Sequence, residues 1–341
     1  MNSTGRNDSL TIALDAMGAD FSPNNEIAGA IEAIKETGGR FNVLLIGDSA
    51  VVEPVLATYP ADLRKNITIV DAKEVITMDD EPVAGLRAKR DSSIVKGLEA
   101  IKSGSALAFV SAGNTGAVMS GATLELGRIK GVTRPMIGAQ FPRGDGSFTL
   151  VFDVGATVDA KPQWLKEYAI MGTIYARDIF GIANPKVGML SVGEEEAKGN
   201  ELTFEASKLI RETDLNFIGN VEGRDILINT ADVVLCDGFV GNVILKFAES
   251  VLGALKRRIR DYAGKGIINK IKAGITASVL KSTLKDFDYQ EHGGVPLLGV
   301  NGIVIIGHGS SSPKAIKNML LRAEEMARKN IVETITNALG K

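Results

Sequence analysis

A chain of 341 residues with 45% hydrophobic and 23% charged side chains can build a large core, which excludes disorder for its bulk. A net charge of -2 and an aromatic share of 5% exclude a nucleic-acid binder that relies on a basic surface or on stacked bases. One cysteine, Cys236, excludes a disulfide framework and fits a reducing compartment, and two histidines, His292 and His308, leave no zinc cluster to build. A Ser-His-Asp hydrolase would have to use one of those two. No positively charged start precedes a long apolar stretch, so no signal peptide is expected. No run reads as reaching the ~18–20 apolar residues that cross a bilayer.

Residues 1–9 are polar and without pattern, and read as a frayed, disordered tail. From Leu10 one theme repeats: a short apolar run, a turn of Gly, Asp, Asn or Ser, then a helical pattern. Strands are expected at Thr11–Asp15, Asn42–Gly47, Ile67–Asp71, Ala106–Ser111, Thr149–Asp153, Lys186–Ser191, Asn216–Gly219, Val233–Cys236 and Ile303–Gly307. They are nearly continuous apolar runs, the mark of parallel strands covered by helices on both faces. Helices are expected at Asn25–Glu36, Ser92–Lys102, Lys161–Phe180, Asn200–Thr213 and Ser312–Leu339. The alternation predicts a three-layer α/β/α, doubly wound, mostly parallel sheet, with residues 10–341 forming a single unit of two lobes.

Residues 252–285 break the theme. Apolar residues recur there at steps of three and four, through Leu252, Leu255, Ile259 and Tyr262, then Ile268, Ile271, Ile275 and Val279. Two amphipathic helices broken at Gly264 and Gly266 are expected, protruding as an insertion. Residues 256–285 hold nine Lys or Arg against Asp261, a local charge of +8 in a chain of net -2. Such a segment is a solvated surface, a dimer contact or an anchor lying on an anionic bilayer through Leu255, Ile259, Ile268, Ile271 and Ile275.

Ligands of doubly wound sheets sit beyond the carboxyl ends of the strands, so the turns there carry the functional reading. Glycine, 38 residues or about 11% against a usual ~7%, concentrates in those turns. Asp15, Ala16, Met17 and Gly18 follow the first strand, where Asp15 serves a ligand or caps a turn. Ser111, Ala112, Gly113, Asn114, Thr115, Gly116 and Ala117 follow another and open a helix, whose unpaired N–H groups and positive dipole suit an anion such as phosphate. Neither the Walker nor the dinucleotide glycine pattern is present. Asp153 ends a strand, and Lys161 precedes Pro162 at a helix start, where it is solvated or neutralises phosphate or an oxyanion. Asp237 and Asn242 follow the strand that ends at Cys236, which reads as a buried, inert thiol. His308, Gly309 and Ser310 join the last strand to a helix capped by Ser311 or Ser312.

Together these motifs, with Gly199-Asn200-Glu201-Leu202 and Gly219-Asn220-Val221-Glu222, resemble the PlsX-type phosphate acyltransferases, in order from about residue 10 to 335. The resemblance implies a fold similar to isopropylmalate dehydrogenases and phosphate acetyltransferases. It implies transfer of a fatty acyl group from acyl carrier protein to inorganic phosphate, without metal or cofactor. A homodimer at the inner face of the cell membrane, handing its product to a glycerol-phosphate acyltransferase, is implied as well. On this basis Ser111, Gly113, Asn114, Thr115, Gly116, His308, Gly309 and Ser310 are candidates to hold phosphate. Lys161 and Asn242 would stabilise charge, and Asp15, Asp153 and Asp237 would orient the donors. Arg87, Lys89, Arg90, Lys256 and Arg257 are candidates to dock the acidic carrier protein, or are simply solvated. Ala19 and Phe21 depart from the family's expected Gly and His, so no role for that histidine transfers. Other readings are an acyl-CoA phosphotransacetylase, an NAD-dependent decarboxylating hydroxy-acid dehydrogenase and a non-enzymatic membrane scaffold.

Overall fold

In the computed structural model, residues 10–283, 291 and 293–340 are described. The expected tail at 1–9, the end of the expected helical pair beyond 283, and His292 lie outside them. The chain divides into two compact units, residues 1–135 with 292–341, and residues 136–291.

The first unit begins β1 (Leu10–Asp15), α1 (Asn24–Thr37), β2 (Phe41–Gly47), α2 (Ser49–Leu56), α3 (Ala61–Arg64), β3 (Ile67–Asp71), α4 (Pro82–Ala88), α5 (Ser93–Lys102), β4 (Ala108–Ser111) and α6 (Thr115–Gly121). The second unit runs β5 (Met136–Pro142), β6 (Phe148–Phe152), α7 (Pro162–Phe180), β7 (Val187–Leu190), α8 (Glu201–Arg211), β8 (Phe217–Val221), β9 (Val233–Leu235), α9 (Gly238–Ala263) and α10 (Ile267–Thr283). The chain then completes the first unit with β10 (Val295–Leu298), β11 (Ile303–Ile306), α11 (Pro313–Arg328) and α12 (Ile331–Leu339).

In the first unit the strand order is β3-β2-β1-β4-β11-β10, parallel except for β10. Successive residues of a strand point to opposite faces. Ile12, Ala13 and Leu14 are all 0% exposed, so helices cover both faces of β1 and the expected three layers hold here. The chain winds outward from β1 to β3 on one side and continues with β4 on the other. The β1–β4 boundary is therefore a topological switch point, where a crevice opens beyond the strand ends. The second unit has the order β5-β6-β9-β7-β8, parallel except for β5.

Helix ends follow local chemistry. Ser92 caps α5, Ser312 caps α11 with Pro313 in its first turn, and Asn200 forms a reciprocal capping box with Thr203 at α8. The single helix expected over Ser312–Leu339 is two, because Asn330 takes a left-handed conformation (φ 49°) between α11 and α12.

Two strands escaped the sequence reading, and both are antiparallel. β10 pairs with β11 in the first unit. β5 pairs with β6 across the turn at 143–147, whose Asp145-Gly146 step is a hairpin signal in hindsight. Arg143 clamps that hairpin from inside. It is 6% exposed, and its guanidinium donates to Thr149 Oγ1 at 2.9 Å, Asn229 Oδ1 at 3.0 Å, Asp232 Oδ1 at 3.2 Å and the Ala231 carbonyl.

α9 begins at Gly238, well before residue 252, and α10 packs back along it, with the break at Gly264 and Gly266. Here the expectation of no membrane-length run needs correction. Among the described residues α9 is long and apolar enough to cross a bilayer, by length and composition. Lys246 and Glu249 interrupt the run as read along the chain, but one turn apart they pair with each other at 2.9 Å.

Candidate active site

The first unit brings three of the expected turns to one end of its sheet. Asp15, 2% exposed at the end of β1, accepts a hydrogen bond from Ser111 Oγ at the end of β4 at 2.7 Å. Its other oxygen accepts from the Met17 N–H at 3.0 Å, and Ser111 Oγ accepts from the Gly113 N–H at 3.1 Å. One buried carboxylate thus sets both turns flanking the switch point. The two turns touch through glycine: a Cβ on Gly18 would stand 2.7 Å from Gly113 Cα.

Asn114 caps α6, its Oδ1 accepting from the Ala117 N–H at 3.0 Å, and its amide donates to the carbonyls of Thr77 at 2.9 Å and Asp80 at 3.1 Å. Asn114 therefore shapes the turn rather than offering its side chain to a ligand. Thr115 is exposed, and the N–H groups of Thr115 and Gly116 are those that helix geometry leaves without an intrahelical acceptor.

The turn after β11 joins the same end. The Asp20 N–H donates to the Gly309 carbonyl at 2.9 Å, and Asn25 Nδ2 donates to the Ser311 carbonyl at 2.9 Å. His308 is exposed, and its Nδ1 accepts from the Ser310 N–H at 3.2 Å. That bond assigns the ring proton to Nε2 in the neutral imidazole.

Glu26, missed in the sequence, lies in the first turn of α1 beside this cluster. It is 1% exposed, and neither carboxylate oxygen has a hydrogen-bond partner. Burial, with the charge of Asp15 added, pushes its carboxyl up to about 7. The signal was available: Glu26 stands beside Ile27 and one turn before Ala30 on the inward face of α1.

In the second unit Asp153 is 0% exposed and serves the backbone. Its Oδ1 accepts from the N–H groups of Ile137, Gly155 and Ala156 at 3.0–3.2 Å, and its Oδ2 accepts from that of Thr157 at 2.7 Å. Burial raises its pKa, and these four donors oppose the rise. Asp237 caps α9 by accepting from the Val240 N–H at 2.8 Å. α9 enters tightly against the Asp153 turn, because a Cβ on Gly241 would stand 1.9 Å from the Asp153 carbonyl oxygen. Asn242 thereby lies beside Gly155, whose added Cβ would be 3.7 Å from the Asn242 amide. The Gly238–Gly241 spacing, one helical turn, was the overlooked sign of this approach.

Lys161 caps α7 without a side-chain bond, is exposed, and holds its ammonium 5.6 Å from the centre of the Trp164 ring. Cys236 is buried as expected, donates weakly to the Asp153 carbonyl at 3.3 Å, and is pushed well above the ordinary thiol range by burial. It is not a thiolate nucleophile. Asn220 donates to the carbonyls of Glu195 and Lys198, tying down the loop before α8.

The cationic candidates separate. Lys89 donates to Asp80 and to the Val75 carbonyl, so it holds the loop that Asn114 grips. Arg90 is bound by Glu125 and Glu99. Arg87, Lys256 and Arg257 are exposed. Of the apolar candidates in α9 and α10, Ile268, Ile271 and Ile275 are 61–70% exposed and Leu255 38%, whereas Ile259 is half-buried.

Comparison with known proteins agrees with this architecture. A family described as "Fatty acid synthesis protein" matches residues 10–334. The chain is 48% identical over 326 residues to the phosphate acyltransferase of Heliobacterium modesticaldum, covering 96% of each chain. It is 44% identical over 331 residues to that of Desulforudis audaxviator, covering 97% of this chain and 96% of the other. Among solved structures, a phosphotransacetylase from Streptococcus pyogenes superposes with a TM-score of 0.62 at 18% identity, over 94% of both chains, which is likeness of fold.

Proposed function

The chain belongs to the PlsX-type phosphate acyltransferases, and from that premise we propose that it moves a long-chain fatty acyl group from acyl carrier protein to inorganic phosphate, releasing an acyl phosphate. The observation that carries this reading is the switch point of the first unit. There Asp15 and Ser111 lock two glycine turns and the start of α6 offers N–H donors. Small turns with backbone donors suit a compact oxyanion.

Phosphate needs no covalent enzyme intermediate. Its second ionisation lies at about pH 7, close to that of phosphoesters, so at neutral pH a large share is the dianion, a ready nucleophile. A phosphate oxygen bonds to the thioester carbon, the carbonyl oxygen takes the charge, and collapse breaks the C–S bond. The thiol leaves as a thiolate of pKa about 8.5, which asks little of a general acid. Catalysis is then positioning and charge stabilisation. Within the second unit Lys161, an exposed cation at the start of α7, and the Asn242 amide are groups of the right chemistry for an oxyanion. Asp15, Ser111, Asn114 and Asp153 act as positioning residues.

The test is incubation with palmitoyl carrier protein, with and without phosphate, trapping the product with hydroxylamine. A hydroxamate that forms only with phosphate is expected, and its absence overturns the reading. Palmitoyl-CoA in a parallel arm separates carrier protein from coenzyme A as donor. Replacing Lys161 by Ala is expected to lower kcat/KM about 100-fold, or ~2.7 kcal/mol, with wild-type kinetics removing Lys161 from the mechanism.

We also propose that the homodimeric enzyme rests on the inner face of the membrane and passes its product to a glycerol-phosphate acyltransferase there. The exposed stripe Ile267, Ile268, Ile271, Ile275 and Val279 of α10, each at least 58% exposed amid lysines, supports this. Ile268→Asp/Ile275→Asp protein is expected to stay in the supernatant when wild type pellets with anionic liposomes.

A further inference from the structure

A cavity of about 380 Å³ lies at the carboxyl ends of β7 and β9, within the size range of small-molecule sites. Leu165 of α7, Met189 of β7, Leu202 of α8 and Val240 and Ile244 of α9 make its wall. No lysine, arginine or histidine lines it.

The polar groups at its edge are already committed. Asn200 Oδ1 accepts from the Thr203 N–H at 3.0 Å, and Asp237 Oδ1 accepts from the Val240 N–H at 2.8 Å. A phosphate or a nucleotide entering here would find no cation and would meet the Asp237 carboxylate, at a desolvation cost nothing offsets. An apolar chain would instead cover the mostly apolar wall and displace water from it. The edge at Asp237 is continuous with the start of α9, which packs on the Asp153 turn and carries Asn242.

We propose that this cavity seats the hydrocarbon chain of the fatty acyl donor, with the carbonyl end toward Asp237 and the chain running between α7, α8 and the first two turns of α9. The assignment rests on the acyl-transfer reading above and adds to it the place where chain length is sensed. Filling the cavity should therefore act on long chains more than on short ones, since each methylene excluded from an apolar pocket costs discrimination.

Leu202→Trp and Ile244→Trp each fill it, and both positions are partly exposed, so the larger ring has room to be accommodated without breaking the core. The first readout is the ratio of kcat/KM for palmitoyl over butyryl carrier protein, expected to fall about tenfold in each variant. The second is binding of parinaric acid, a fluorescent long-chain fatty acid, without phosphate, expected for wild type and lost in both variants. A ratio unchanged in both folded variants, or parinaric acid bound by them as by wild type, overturns the assignment. If wild type consumes neither thioester yet binds parinaric acid, and both variants lose that binding, the reaction reading falls while the chain site stands.

Discussion

Asp153→Ala is expected to lower unfolding stability by about 2–4 kcal/mol, because the buried Ile137 N–H and the part-buried N–H groups of Gly155, Ala156 and Thr157 lose one shared acceptor. A buried donor left without a partner, such as the Ile137 N–H, costs about 1–3 kcal/mol, whereas the donors of the partly exposed turn recover part of that loss from water. The damage spreads along two elements. The Ile137 N–H belongs to β5, and the N–H groups of Gly155, Ala156 and Thr157 shape the turn on which α9 packs. Asp153→Asn keeps one acceptor oxygen and turns a second donor toward the cluster, so about half of that loss is expected. Urea unfolding of the three proteins checks the order. An Ala variant within about 1 kcal/mol of wild type would show that these N–H groups find other partners. Activity should fall with stability here, as befits a residue that acts through the turn it builds.

The second large effect concerns Glu26. Its folded pKa is raised to about 7 from an ordinary value of 4.5. Between those values the folded chain keeps a proton that the unfolded chain has released. Stability therefore falls as pH rises through that window and is fully restored below it. The difference corresponds to about 3 kcal/mol at pH above the window. Glu26→Gln, which has no charge to lose, is expected to be more stable than wild type by about that amount near ~pH 8, and nearly equal to it near ~pH 4. Chemical denaturation across that range reads both. A parallel pair of curves would show that the carboxylate is solvated rather than buried beside Asp15.

Both residues mark what a linear reading misses. Asp153 was legible as a strand-end acid, and its neighbours Val154-Gly155-Ala156 as a turn, but not that the carboxylate turns inward to its own backbone. Glu26 sat inside an obvious amphipathic helix, where a single acid on the inward face is easily averaged away. Arg143 was passed over for the same reason: its partners Thr149, Asn229 and Asp232 are brought to it only by the hairpin and by β9. The two unpredicted strands, β5 and β10, are antiparallel members at the ends of otherwise parallel strand sets, and they lack the strand-turn-helix rhythm that betrays the others.

Residue order alone carries the alternation of apolar runs and helices, hence a mostly parallel α/β architecture, because burial on both faces writes itself as uninterrupted hydrophobic runs. It also determined where turns fall, since glycine, capping serines and asparagines act within a few residues of themselves. Ordered motifs across the whole length were enough to mark the family. Tertiary structure decided everything that depends on residues far apart in the chain. It set the Asp15–Ser111 lock at the switch point, the unsatisfied burial of Glu26, and the engagement of Lys89 and Arg90 by acids. It also opened the apolar cavity between α7, α8 and α9. Local propensity acts over a turn or two, whereas desolvation and hydrogen-bond satisfaction are properties of a site, fixed when distant segments close around the same few atoms.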